Sequence, residues 1–159
     1  MSEITIRFAG PDDSEAVAAM VDAMDAYYQD PARPAAEARA AAKGWLQEGG
    51  SDTRFVLAFA GDKPVGLAAF AVLHPGNGLK GLVFLKDVFV VAEARGQRVG
   101  EKIMRYLAAF CRRENIGRID WMVETPDSQR FYERLGAVTK PEKLYMRLDG
   151  QALKDLAED

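Results

Sequence analysis

The chain has 159 residues, 48% of them hydrophobic and 28% charged, which suits one domain with a sizeable core and is too apolar for a disordered chain. A formal charge of −3 offers no basic stripe for nucleic acid. The single cysteine, Cys111, excludes an intramolecular disulfide, and no apolar run approaches the ~18 residues that span a bilayer. The start, Met1 to Arg7, lacks the basic and apolar regions of a signal peptide, so the cytoplasm is the expected location.

In chain order, Ile4 to Phe8 alternates apolar and polar residues as a half-buried strand does. Gly10-Pro11-Asp12-Asp13 predicts a helix start, with Ala16, Val17, Met20, Val21 and Met24 following at helical spacing. After Pro31 to Pro34 an alanine-rich helix is expected to run to about Glu48 and end at Gly49-Gly50. Phe55 to Phe59 and Val65 to Leu73 predict strands joined by a turn at Gly61-Asp62. Leu82 to Val91 predicts the longest strand. A helix from near Gln97 would bury Val99, Ile103, Tyr106, Leu107 and Phe110 and end before Gly117. Ile119 to Val123 predicts a strand, Pro126 to Leu135 a short helix stopped by Gly136, and Leu144 to Leu148 a final strand. No linker or repeat divides the chain, so one domain over 1–159 is expected.

The most informative stretch is Leu85 to Gly100. An apolar strand feeds Arg95-Gly96-Gln97-Arg98-Val99-Gly100, which opens an amphipathic helix. Unpaired amides at such a helix start, reinforced by its dipole, form a natural cradle for phosphates. Downstream stands Phe131-Tyr132-Glu133-Arg134-Leu135-Gly136-Ala137. Together these segments resemble the Gcn5-related (GNAT) acetyltransferases, and the likeness spans nearly the whole chain. It implies an α/β (α+β) fold: a mixed, mostly antiparallel central sheet flanked by helices, in the order β-α-α-β-β-β-α-β-α-β.

The resemblance implies acetyl-CoA as cosubstrate, with no metal. Arg95 and Gly100 match the family's pyrophosphate motif, Arg98 stands where its first glycine belongs, and Gly96, Gln97, Val99 and Glu101 complete the loop. Glycine serves there because phosphates approach backbone closely. Val88, Phe89 and Val90 fall where the family's strand offers backbone groups to the pantetheine arm. Thr125 replaces an asparagine seven residues before Tyr132 of the Phe131-Tyr132 pair, with Ser128 between them. As a threonine before Pro126, it can cap the helix that follows.

Tyr132 is the leading catalytic candidate, because a phenol of pKa ~10 can hand a proton to a departing thiolate whose acid has pKa ~8.5. Asp87, beside Lys86, would bind the substrate ammonium or take its proton. Family polyamine enzymes carry a Glu-Asp pair there. Strand alternation is expected to put Lys86 and Asp87 on opposite faces. Asp25, Tyr27 and Tyr28 offer an acidic, aromatic wall for a cation. His74 and the two tryptophans, Trp45 and Trp121, carry no site.

The expected activity is acetyl transfer to the primary amine of a small molecule by direct attack, since no placed cysteine offers a covalent intermediate. A peptide or protein amine is the alternative acceptor. A non-catalytic acyl-CoA-binding regulatory domain is the alternative class, permitted by Arg98 and Thr125. Neither nucleic acid nor membrane is an expected partner, and the resemblance allows a homodimer.

Overall fold

The computed structural model describes residues 3–158. Their contacts divide the chain after Met122 into two compact units.

The first unit holds β1 (Ile4–Phe8), α1 (Ser14–Tyr27), α2 (Ala35–Leu46), β2 (Arg54–Ala60), β3 (Lys63–Leu73), β4 (Gly81–Val90), α3 (Val99–Arg113) and β5 (Ile116–Asp120). The strands form one mixed sheet in the order β1-β2-β3-β4-β5. The first four pair antiparallel, and β5 joins β4 in parallel. The mixed, helix-flanked α/β fold expected from the sequence is therefore present.

Helices cover both faces. On one face α3 lays down a stripe of Val99, Ile103, Leu107 and Phe110, spaced three or four residues apart as a helix with one buried side must be, and Met104 and Cys111 widen it. Phe110 meets Phe8 and Phe70 with ring centroids 5.3 and 5.7 Å away. Gly66 lets this helix approach, since a Cβ there would stand 3.2 Å from both Val99 and Ile103. On the opposite face Trp45 of α2 stacks on Phe55 at 6.0 Å, and Tyr27 of α1 reaches Phe89 at the same distance. Burial of the Cys111 thiol raises its pKa.

Several boundaries differ from expectation. A short 3-10 turn, Pro11–Asp13, precedes α1, because Asp13 folds back to accept from the Gly10 amide at 2.7 Å. The helix before β5 ends at Arg113, and Asn115 takes the left-handed turn at φ 53°, so β5 begins at Ile116 rather than at Ile119. Asparagine is among the few residues that adopt this turn readily.

The second unit contains α4 (Pro126–Arg134) and α5 (Gly150–Leu156). The final strand expected over Leu144 to Leu148 is not formed. That segment pairs with no strand among the described residues, and Leu144 and Met146 are each 88% exposed. Strand propensity needs a ladder to act on, and this segment joins none among the described residues. No helix among the described residues is long and apolar enough to cross a membrane.

Candidate acyl-CoA and acceptor site

Strand β4 carries the first part of the site. Its ladder with β3 matches Ala69 to Asp87 but Phe70 to Leu85, so Lys86 is an extra residue and β4 is bulged there. The bulge overturns the expected alternation of Lys86 and Asp87. Lys86 Nζ instead donates to Asp87 Oδ2 at 2.7 Å. Asp87 and Phe89 lie opposite Ala69 and Leu67, which places both on the face covered by α1. On its other edge β4 pairs with β5 only from Gly81 to Phe84. From Leu85 to Val90 that edge has no ladder partner among the described residues, so apart from the Val90 carbonyl, which accepts from Arg95, its outward N–H and C=O groups are available to a ligand.

The chain then turns into α3. Val91 donates to the Val65 carbonyl at 3.1 Å, and Ala92–Ala94 forms a single 3-10 turn. Gln97 Nε2 donates to the Glu93 carbonyl at 3.1 Å. Lys63 donates to Glu93 at 2.9 Å and holds that carboxyl below its usual range. Gly96 has φ 79°, and a Cβ there would meet nothing within 4 Å. Arg98 caps the helix in the left-handed region, at φ 59° and ψ 23°. The amides of Gly96, Gln97 and Arg98 donate to no backbone carbonyl among the described residues. Those of Val99, Gly100 and Glu101 start the helix, where no intrahelical acceptor exists. The Arg98 side chain is 81% exposed and turned towards Glu101, which also binds Arg105 at 2.9 Å. The open amides and the outward arginine suit a diphosphate.

Arg95 sits between this loop and α1. Its Nε donates to the Val90 carbonyl at 3.1 Å, and its guanidinium lies 4.6 Å from the centre of the Tyr27 ring. Tyr27 in turn touches Phe89 and stands 5.2 Å from Tyr28 in an edge-to-face pair. Strand, loop and the end of α1 thus form one cluster, joining residues that the sequence suggested for cofactor and for acceptor. Asp25 is not a free carboxylate here, because Arg33 pairs with it.

Thr125, Ser128, Phe131 and Tyr132 belong to the second unit. Thr125 caps α4 by accepting from the Ser128 amide at 3.2 Å, and its hydroxyl donates to the Ser128 hydroxyl at 2.9 Å. Phe131 and Tyr132 are half-buried and meet edge to face at 4.9 Å. The Tyr132 carbonyl accepts from the Leu135 and Ala137 amides, closing the helix at Gly136, which has φ 94°.

A bulge in this strand, common in the family that the sequence resembles though not legible in the residues themselves, stands at Lys86, and the underpinning glycine at position 66 was absent from the sequence reading. A glycine inside an otherwise apolar strand was the available signal for the second. A separate concavity of about 330 Å³ lies at the start of β4, lined by Lys80, Gly81, Leu82, Gly117 and Arg118 among others. None of the candidate residues lines it. Among the described residues no group of His, Cys, Asp and Glu is arranged to hold a metal ion.

Comparison with known proteins bears on this arrangement. A solved integron cassette protein from the mobile metagenome of V. cholerae superposes with a TM-score of 0.92 at 28% identity, covering 100% of this chain and 99% of that one. A possible acetyltransferase from Clostridium difficile 630 superposes at 0.75 with 18% identity, covering 91% and 96% of the two chains, a likeness of fold alone. The thialysine N-epsilon-acetyltransferase of Sus scrofa is 31% identical over 83 residues, which is 47% of each chain. The chain thus spans about half the length of the curated relatives it matches. The model of the Acetyltransferase (GNAT) family matches residues 17–137, which takes in the bulged strand, the phosphate-type loop and the Phe131-Tyr132 pair, and the chain belongs to that family.

Proposed function

We propose that residues 1–159 act as one acetyltransferase domain, working in the cytoplasm and moving acetyl from acetyl-CoA to the primary amine of a small molecule by direct attack. The observation that carries this reading is the open edge of β4 leading into a turn of uncommitted amides at the start of α3. An open strand edge suits the amides of a pantetheine arm, and a helix start suits a diphosphate. Membership of the family supports the cosubstrate, and the thialysine enzyme supports an amine on a small molecule as acceptor.

Acetyl-CoA supplies an activated thioester. In the transfer a nitrogen–carbon bond forms, the carbon–sulfur bond breaks, and the amine proton and the thiolate must both be accommodated. Asp87 would hold the amine and receive its proton, directly or through water. A backbone N–H near Phe89 or Val90 would hold the negative charge developing on the carbonyl oxygen. Tyr132 would give a proton to the departing sulfur. Arg95, Gly96, Gln97, Arg98, Val99, Gly100 and Glu101 would grip the diphosphate, with Thr125, Ser128 and Phe131 completing the cofactor contacts.

The test is release of free thiol from acetyl-CoA in the presence of a panel of primary amines. Cys111 is 6% exposed, so it adds little background to a thiol reagent. Amine-dependent release is expected, with Tyr132→Phe lowering kcat by on the order of a hundredfold. No amine-dependent release, together with CoA binding, would instead favour the non-catalytic acyl-CoA-binding class.

A further inference from the structure

Both carboxylates that make the acceptor side acidic on paper are matched by cations in the fold. Asp25 pairs with Arg33. Asp87 pairs with Lys86 at 2.7 Å, and the lysine side chain stays 69% exposed against 23% for the aspartate. The pairing exists because the bulge at Lys86 breaks the strand alternation and lets both side chains reach one side. Two residues further on, Phe89 packs against Tyr27, and the Arg95 guanidinium covers the Tyr27 ring. Only Nε of that guanidinium is engaged, on Val90; among the described residues its Nη groups have no protein acceptor. With Arg95 given to the diphosphate, the side-chain charges left beside Phe89 are Lys86 and Asp87, which neutralise each other.

This balance selects between classes of amine. A diamine would bring a second ammonium to a surface where Lys86 already occupies Asp87 and repels it. An amine that also carries a carboxylate gives Lys86 a new partner, which frees Asp87 for the ammonium. Arginine and lysine are the usual receivers of such a group. We propose that the acceptor is a zwitterionic amine whose carboxylate is received by Lys86, while its primary amine is the group acetylated at Asp87. The inference rests on the acetyltransferase reading and names its substrate class.

Matched pairs that differ by one carboxylate test it: lysine against cadaverine, and ornithine against putrescine, with thiol release followed at saturating acetyl-CoA. The carboxylate-bearing member of at least one pair is expected to show a kcat/KM about tenfold higher, the scale on which one lost charged contact discriminates. Lys86→Glu should abolish or reverse that preference, mainly through KM for the amine, and Lys86→Arg should keep it. The exposed position makes both variants tolerable to the fold, which a thermal melt checks. Equal or better use of the diamines by the wild-type protein overturns the inference and leaves the transferase reading standing. A preference that survives Lys86→Glu unchanged also overturns it. Turnover of no amine overturns the transferase reading, and this inference with it.

Discussion

Arg98 shows how one residue can keep a motif's geometry while departing from its chemistry. At φ 59° it holds the left-handed turn that a glycine would adopt without steric cost. An L-residue with a long side chain pays roughly 1–2 kcal/mol for that conformation. Arg98→Gly is therefore expected to stabilise the protein by about 1 kcal/mol, once the freedom of glycine in the unfolded chain is set against the relieved strain. A urea denaturation midpoint that fails to rise would show the turn to be unstrained. Retaining arginine at that cost is consistent with a charge used near the diphosphate. Lys86 makes a related point: one extra residue in β4 converts an expected pair of opposite-facing charges into an ion pair.

Among elements, α3 is the one on which the site depends, and its seat is tight. A Cβ at Gly66 would come within 3.2 Å of two side chains of α3 and 3.3 Å of Ala58. Gly66→Val should therefore cost about 1–3 kcal/mol by overpacking. It should also weaken CoA binding by displacing the helix start, whereas an unchanged melting temperature would contradict the packing seen here. The other structural joint ties β1 to α1, where Arg7 meets Asp13 through two contacts of 2.7 Å. The Arg7 hydrogen bonds, helped by the Gly10 amide, hold the Asp13 carboxyl below its usual range. A carboxyl lowered in the fold contributes stability that is complete above its unfolded value near pH ~4 and is lost as pH falls through that range. Asp13→Asn should thus cost about 1–2 kcal/mol at neutral pH. Its stability curve should converge on that of the wild type as the pH falls below the ordinary carboxylate range and Asp13 protonates in the fold as well. A gap that persists in acid would assign the loss to something other than charge.

For the molecule as a whole, burial is uneven. Leu57, Leu67, Ile103 and Leu107 are fully enclosed in the first unit, whereas α4 and α5 of the second contain no buried residue. Local opening is easiest where few apolar contacts resist it. Amide hydrogen exchange should accordingly be faster across α4 and α5 than across β2, β3 and α3. Equal protection in both would show that the second unit is covered in solution.

The sequence alone was sufficient for the features that chemistry writes locally. These include the apolar stripe of α3, the turn between β2 and β3, the Thr125-Pro126 helix start, and the strand-turn-helix of Leu85 to Gly100. Each follows from side-chain periodicity or from the dihedral preferences of adjacent residues, which are present in the chain before it folds. Tertiary structure decided the bulge at Lys86, the absence of a strand over Leu144 to Leu148, the pairing of Asp25 with Arg33, and the meeting of Arg95 with Tyr27. A ladder needs a second strand in register, and an ion pair or ring contact needs two groups brought close from different places. Those outcomes depend on which distant segments become neighbours, and no local pattern carries that information.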